Sequence, residues 1–408
     1  MSHPEERQRS HSSHPEERQR SHSSHPEERQ RSHSSHPEER QRSHSSHPEE
    51  RQRRGIAFPR GVSRSILALT LAALSASPAS SQKLEALWYS VGSETSTQSF
   101  LAHASQISIV SPQVFAIDAS GVIRGHVDPR VVAAAHAKGV KLMPLVMNPG
   151  FDQPTIHKIL TVASSRRRAI ANLVSLCRDN HFDGIQFDIE NVHVRDKAAF
   201  TSFVQESAAA LHAINCAISA AVVPRSSENP GPTSYHKWIF DNWRGAYDYK
   251  PLADAMDFIS YMTYAQHTGG STPGPVADYR WMEADLEYVL SLGVPPEKIS
   301  LGIPSYSDWW YPVWEKKGGP RMRGRDIGYA KVSEIVSQFG LHPTWDDSAK
   351  SPFVFWPDSG IYDHMWIEDA RAFMAKLELV RRYKLRGYSV WVLGTEDPAL
   401  WPELAKQP

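Results

Sequence analysis

From Lys83 onward the chain alternates short apolar runs with longer stretches whose apolar residues recur every three or four positions. The first pattern suits a strand buried on both faces, the second a helix laid on a core. Strands are predicted at 84–89, at 107–109 with 114–117 (split by Ser111-Pro112), and at 140–147, 184–190, 217–223, 258–264, 299–304 and 387–393. Helices are predicted at 129–138, 166–179, 197–214, 281–292 and 368–383. Strands that alternate with helices imply a parallel sheet, and about eight such units imply closure. The expected fold class is therefore α/β, a (β/α)8 TIM barrel. Residues 307–365 break the alternation and read as a small insertion between the seventh strand and the last helix.

The first 59 residues follow a different rule. The unit Ser-His-Pro-Glu-Glu-Arg-Gln-Arg-Ser-His-Ser starts at Ser2, Ser13, Ser24 and Ser35, with a truncated copy at Ser46. It has no apolar stripe, and a proline interrupts each unit, so it is read as disordered. Residues 60–81 read as a secretory signal: basic Arg60 and Arg64, the apolar run Ile66–Leu74, then the small-residue stretch Ser75–Ser81. That apolar run is too short to span a bilayer, so no stable membrane insertion is expected. A signal so far from Met1 suggests that translation begins nearer Val62. Residues 83–408 form the expected barrel domain, secreted or held in the periplasm or cell envelope.

Charge narrows the partners. The 45 basic and 45 acidic residues cancel, which argues against nucleic acid and fits an uncharged polymer. Twelve tryptophans and 14 tyrosines suit stacking on sugar rings or core packing alike. Cys177 and Cys216 show no zinc-site spacing and are read as buried free thiols, although an oxidising compartment would let them pair. No cofactor is expected.

The most informative stretch is Asp183-Gly184-Ile185-Gln186-Phe187-Asp188-Ile189-Glu190. On a strand, Ile185, Phe187 and Ile189 share the face that packs on outer helices, and Gln186, Asp188 and Glu190 point into the barrel. Barrel interiors are normally aliphatic, so three polar side chains in a row break the packing rule, as functional sites do. Glu190 stands at the carboxyl end of the strand, where barrel active sites lie. Asp188 is roughly 6–7 Å back along the strand, close enough to raise the pKa of one carboxyl of the pair. Asp183 has the opposite parity. It is expected to bind backbone N–H groups, and its direction argues against a metal site shared with Asp188 and Glu190.

Asp183-Gly-x-x-x-Asp188-x-Glu190 resembles the catalytic motif of glycoside hydrolase family 18. Tyr261-Met262-Thr263-Tyr264, Leu301–Tyr306, Trp366–Ala370 and Gly387–Trp391 resemble later landmarks of that family in the same order. Trp391–Pro398 is similar to the branch of spore-cortex and peptidoglycan-associated members. The resemblance implies substrate-assisted hydrolysis of glycans built from 2-acetamido sugars. Glu190 would be the general acid, Asp188 would orient the acetamide, and Tyr264 would donate to its oxygen. Met262 and Trp391 would line the sugar pocket. By position after the strand, Asn191 is expected to border the cleft, His193 reads rather as a surface-loop residue, and Trp238, Trp243, Trp309 and Trp310 are expected to stack at its rim or pack their own loops. A monomer acting on a polysaccharide or oligosaccharide is expected.

Two positions depart from the family pattern. Gln186 stands where an aspartate is usual; it can hydrogen-bond Asp188 but cannot take up a proton, which implies a changed pH profile. Ala265 stands where an aspartate often follows the tyrosine, and Gln266 or His267 is the expected substitute. These departures keep open a second reading, a carbohydrate-binding barrel without catalysis.

Overall fold

The computed structural model describes residues 84–407 apart from 316–317 and 359. The tandem repeats and the secretory segment lie outside the described residues. Eight parallel strands form the centre: β1 Glu85–Ser90, β2 Ile109–Ile117, β3 Leu145–Met147, β4 Gly184–Asp188, β5 Ala217–Val222, β6 Phe258–Tyr261, β7 Ile299–Pro304 and β8 Gly387–Trp391. Each pairs with its neighbour in chain order, and β1 pairs with both β8 and β2, so the sheet closes into the expected barrel. Among the described residues no helix is long and apolar enough to cross a membrane.

Local chemistry explains the helix ends. Pro129–Lys138 starts after Asp128, whose side chain accepts the Arg130 N–H, and stops at Gly139 in the left-handed region (φ 66°). Its buried face carries Val131 and Ala135. The main core is the shell between strands and helices, with Ile185, Phe187 and Ile189 of the polar stretch inside it. A smaller cluster fills the barrel itself: Leu87, Tyr89, Ile109, Leu145 and Phe258. Beside it other strand positions are small and hydroxylated, with Ser219, Ser260 and Ser389 all buried. Small side chains there leave room for the larger polar groups of β1 and β4.

The predicted break at Ser111-Pro112 does not occur. β2 runs through both residues, with Pro112 opposite Ser90, and its pairing to β3 slips between Gln113 and Phe115. A proline lacks only one ladder donor, and an irregular ladder absorbs that loss. The real interruption falls between Leu142 and Leu145, where Met143-Pro144 divides the predicted strand 140–147.

The thiol expectation is corrected: Cys177 and Cys216 form a disulfide. Cys177 is in the last turn of the helix Ala163–Asp179 and Cys216 directly precedes β5, so the bond ties an outer helix to the barrel wall. Sequence spacing carried no sign of this; the pairing of β4 with β5 brings the two together.

The insertion is a separate five-stranded antiparallel sheet. Its spatial order is Gly319–Ile327, Ser307–Glu315, Ile361–Trp366, Ser351–Asp358 and Thr344–Asp346. The helix Tyr329–Gln338 packs its Val332 and Ile335 into a cluster with Ile327, Trp356 and Met365. A buried ion pair between Glu368 and Lys376, joined by Ser351, fastens this sheet to the helix Ala370–Arg382.

Candidate active site

β4 ends at Asp188, and Ile189 and Glu190 continue past it at the carboxyl end of the barrel. The alternation places Gln186 and Asp188 inside, both buried, while Glu190 keeps an accessible edge. Asp183 points the other way and accepts the Leu142 N–H (2.8 Å), as its parity predicts.

The carboxyls of Asp188 and Glu190 lie close enough to act on one another electrostatically. Burial first, and then the neighbouring Asp188, push the Glu190 carboxyl well above the ordinary carboxylate range. Asp188 rises less, to about 6: burial raises it, and hydrogen bonds from Gln113 and Glu190 hold it down. Both carboxyls are raised, which favours the pair holding a single proton.

The neighbours of the pair differ from the expected ones. Gln113 Nε2 donates to Asp188 Oδ2 (3.2 Å). Gln186 instead turns its amide away, donating to Tyr89 Oη (2.9 Å) and Ser260 Oγ (2.8 Å). Its own carbonyl oxygen is buried without a partner. The register puts Gln186 beside Leu145 and Ser219, and two hydroxyls lie within reach, so the amide goes to them.

Glu190 is held through its backbone. Asn148, the residue after β3, accepts the Glu190 N–H (3.1 Å) and donates to the Glu190 carbonyl (3.0 Å). Tyr247 donates to the Ile189 carbonyl (2.9 Å). Neither Asn148, Gln113, Tyr247 nor Tyr89 was singled out from the sequence. Asn148 carried a usable signal, a polar residue closing an apolar strand at the active end of a barrel. Gln113 shares the inward parity of Ile109, a signal hidden by the expected break at Ser111-Pro112.

Tyr264 lies among Tyr89, Asp188, Tyr306 and Glu190; burial, and then Tyr89 and Asp188, push its hydroxyl well up, so it remains a donor. Trp391 packs tilted on Tyr89, ring centroids 5.5 Å apart. Met262 is buried after β6. Asn191 adopts a positive φ of 54°. Its side chain donates to the Phe151 carbonyl (3.0 Å) and accepts from Gln153 (3.2 Å), which knits the loops after β3 and β4. Gln266 accepts the Asp278 N–H (2.8 Å) and, with His267, lines a neighbouring pocket. His193 caps the short turn that follows β4. Trp310 is buried in the insertion, Trp309 donates to Asp363 (2.9 Å), Trp243 packs edge-on to Phe151, and Trp238 is exposed beside Tyr235.

The sequence profile described as "Glycosyl hydrolases family 18" matches residues 87–396. The Bacillus subtilis protein named uncharacterized glycosylase YvbX is 24% identical over 324 residues, 78% of this chain and 90% of its own length. A cortical fragment-lytic enzyme of Bacillus subtilis is 29% identical over 261 residues. That match covers 64% of this chain but only 58% of that enzyme. Among solved structures, a chitinase from Chromobacterium violaceum superposes with a TM-score of 0.69 at 27% identity, covering 79% of this chain and 98% of the chitinase.

Proposed function

The chain belongs to glycosyl hydrolase family 18, a glycosidase family, and from that premise we propose that it cleaves β-linked 2-acetamido glycans by a substrate-assisted, retaining route. Glu190 protonates the glycosidic oxygen. The substrate's own acetamido carbonyl attacks the anomeric carbon, and the leaving sugar departs. Ionised Asp188 orients the acetamide and balances the positive charge of the cyclic intermediate. Tyr264 donates to the acetamido oxygen, while Trp391 and Met262 bound the sugar ring. Water, deprotonated by Glu190, then opens the intermediate with net retention. Gln186 acts from below by fixing Tyr89, and Asn191 and Gln266 shape the cleft edge.

The observation that carries this reading is the pair of neighbouring carboxyls, Asp188 and Glu190, both raised by burial at the carboxyl end of β4. The reading assigns the proton to Glu190 and the charge to Asp188, the division this chemistry needs. The disulfide supports a secreted or envelope protein, since such bonds persist in oxidising compartments.

The test is release of reducing ends from chitooligosaccharides and from purified peptidoglycan, wild type beside Glu190→Gln. Loss of about 10²–10⁴-fold is expected for removal of a general acid–base. The second reading, a sugar-binding barrel, draws on Gln186, whose amide is turned away from Asp188. Wild type that binds these glycans across a broad pH range but cleaves none would establish it.

A further inference from the structure

A pocket of about 460 Å³ opens between the loops after β5 and β6. Both loops leave the carboxyl ends of their strands, the end that carries Asp188 and Glu190. The wall is joined to the catalytic strand: Arg225 donates to the Tyr247 carbonyl (2.8 Å), and Tyr247 donates to the Ile189 carbonyl (2.9 Å). Gln266, two residues after Tyr264, forms part of the same wall.

Arg225, Arg244, His236 and His267 contribute to its lining, together with serine, threonine and amide groups, and among the described residues no aspartate or glutamate does. The two arginines are in different states. Arg225 is buried; it donates to two backbone carbonyls, pairs with Glu228 and lies 4.4 Å over the Tyr249 ring. Its charge is already compensated, and it is an anchor. Arg244 is half-buried, and among the described residues its side chain has no hydrogen bond or ion pair. The carboxyl whose field reaches it, Asp285, has both oxygens buried without a hydrogen-bonding partner, so the two do not bond. A guanidinium left open in a concave, polar pocket is a ready partner for a planar anion.

We propose that this pocket is a subsite for a carboxylate-bearing substituent of the glycan, with Arg244 as its cation. The proposal rests on the hydrolase reading above and narrows its substrate class. Glycans of 2-acetamido sugars are either neutral, as chitin is, or carry carboxylates on ring substituents, as peptidoglycan does. The pocket opens from loops at the same end of the barrel as Asp188 and Glu190, and a glycan chain that reached it would be rewarded for carrying a carboxylate. Serine, threonine and amide groups around Arg244 complete the hydrogen bonding that a carboxylate requires.

The experiment compares kcat/KM on soluble peptidoglycan fragments, on the same fragments with their carboxyls converted to neutral amides, and on chitooligosaccharides of matched length. Wild type is expected to prefer the acidic fragments by about tenfold or more over the amidated ones, the scale of one charge-assisted hydrogen bond. Raising the salt should erode that preference. Arg244→Gln should abolish it and Arg244→Lys restore part of it, as read from the ratio of the two rates. The wild-type comparison needs no variant, so a misfolded Arg244→Gln does not rescue the idea. Equal rates on acidic and amidated fragments, or an unchanged ratio in a folded Arg244→Gln, overturn the subsite and leave the hydrolase reading intact. No cleavage of any of the three substrates overturns the hydrolase reading itself. In that case, binding of the acidic fragments to wild type, weakened by amidation, still sustains the subsite; indifference to amidation ends it.

Discussion

Asn148 grips the backbone of Glu190 at two points, its Oδ1 accepting the N–H at 3.1 Å and its Nδ2 donating to the carbonyl at 3.0 Å. Asn148 is buried, and its Nδ2 also reaches the Asp152 carbonyl (3.3 Å), so the clamp is itself anchored. Glu190 stands beyond the last ladder hydrogen bond of β4, and this side chain supplies the restraint that the sheet no longer gives.

Replacing Asn148 should therefore act on the chemical step. Asn148→Ala leaves two backbone groups unpaired and loosens the acid. A fall of about 10–100-fold in kcat with KM little changed is expected, the usual scale for a small misplacement of a reacting group. Steady-state kinetics on a chitooligosaccharide checks this; a rise in KM at unchanged kcat would place Asn148 in binding instead.

The pH profile should be bell-shaped and asymmetric. The proposed mechanism needs Asp188 ionised, and its carboxyl is raised to about 6, so the rate should fall as pH drops through that value. It needs Glu190 protonated, and that carboxyl lies well above the ordinary range, so the alkaline limb should come late. Gln113→Leu removes a bond that favours the charged form of Asp188, which should move the acid limb to higher pH. An unmoved acid limb in kcat/KM would disconnect Gln113 from the titration.

The disulfide closes a separation of 39 residues, for which chain entropy gives about 4 kcal/mol of stabilisation. Denaturant unfolding of Cys177→Ala beside wild type, both without reductant, should show a loss of that order. Reductant should lower wild type toward the variant and leave the variant unmoved.

The buried pair Glu368–Lys376 should matter most when half of it is removed. Lys376→Met strands a buried carboxyl, at a cost of about 3–5 kcal/mol, and a second change, Glu368→Gln, should recover much of it. Burial already raises Glu368 to about 7, with Lys376 opposing the rise. Without the lysine the folded form holds its proton more tightly than the unfolded chain, so the single variant should lose stability as pH rises from 5 to 8. Thermal unfolding at both pH values measures this, and equal losses at the two would discount the charge.

The local periodicities of the chain determined its strands and helices, and with them the closed barrel. Helix 129–138 was legible to the residue because its Asp cap, initial proline and terminal glycine are all local signals. Gln186, Asp188 and Glu190 were legible because polar groups on an inward parity contradict packing, and that contradiction needs no neighbours to be seen. Tertiary structure alone decided which partners those groups meet. Gln113 rather than Gln186 reaches Asp188 because β2 runs unbroken through Pro112 and keeps Gln113 on the inward parity of Ile109, while the Gln186 amide bonds Tyr89 and Ser260. Asn148 reaches Glu190 through the pairing of β3 with β4, and Cys177 meets Cys216 through that of β4 with β5. The open guanidinium of Arg244 depends on two loops that meet over the strand ends. Hydrogen bonds and disulfides depend on separations of a few ångströms between residues distant in the chain, and no local pattern of hydrophobicity encodes those separations.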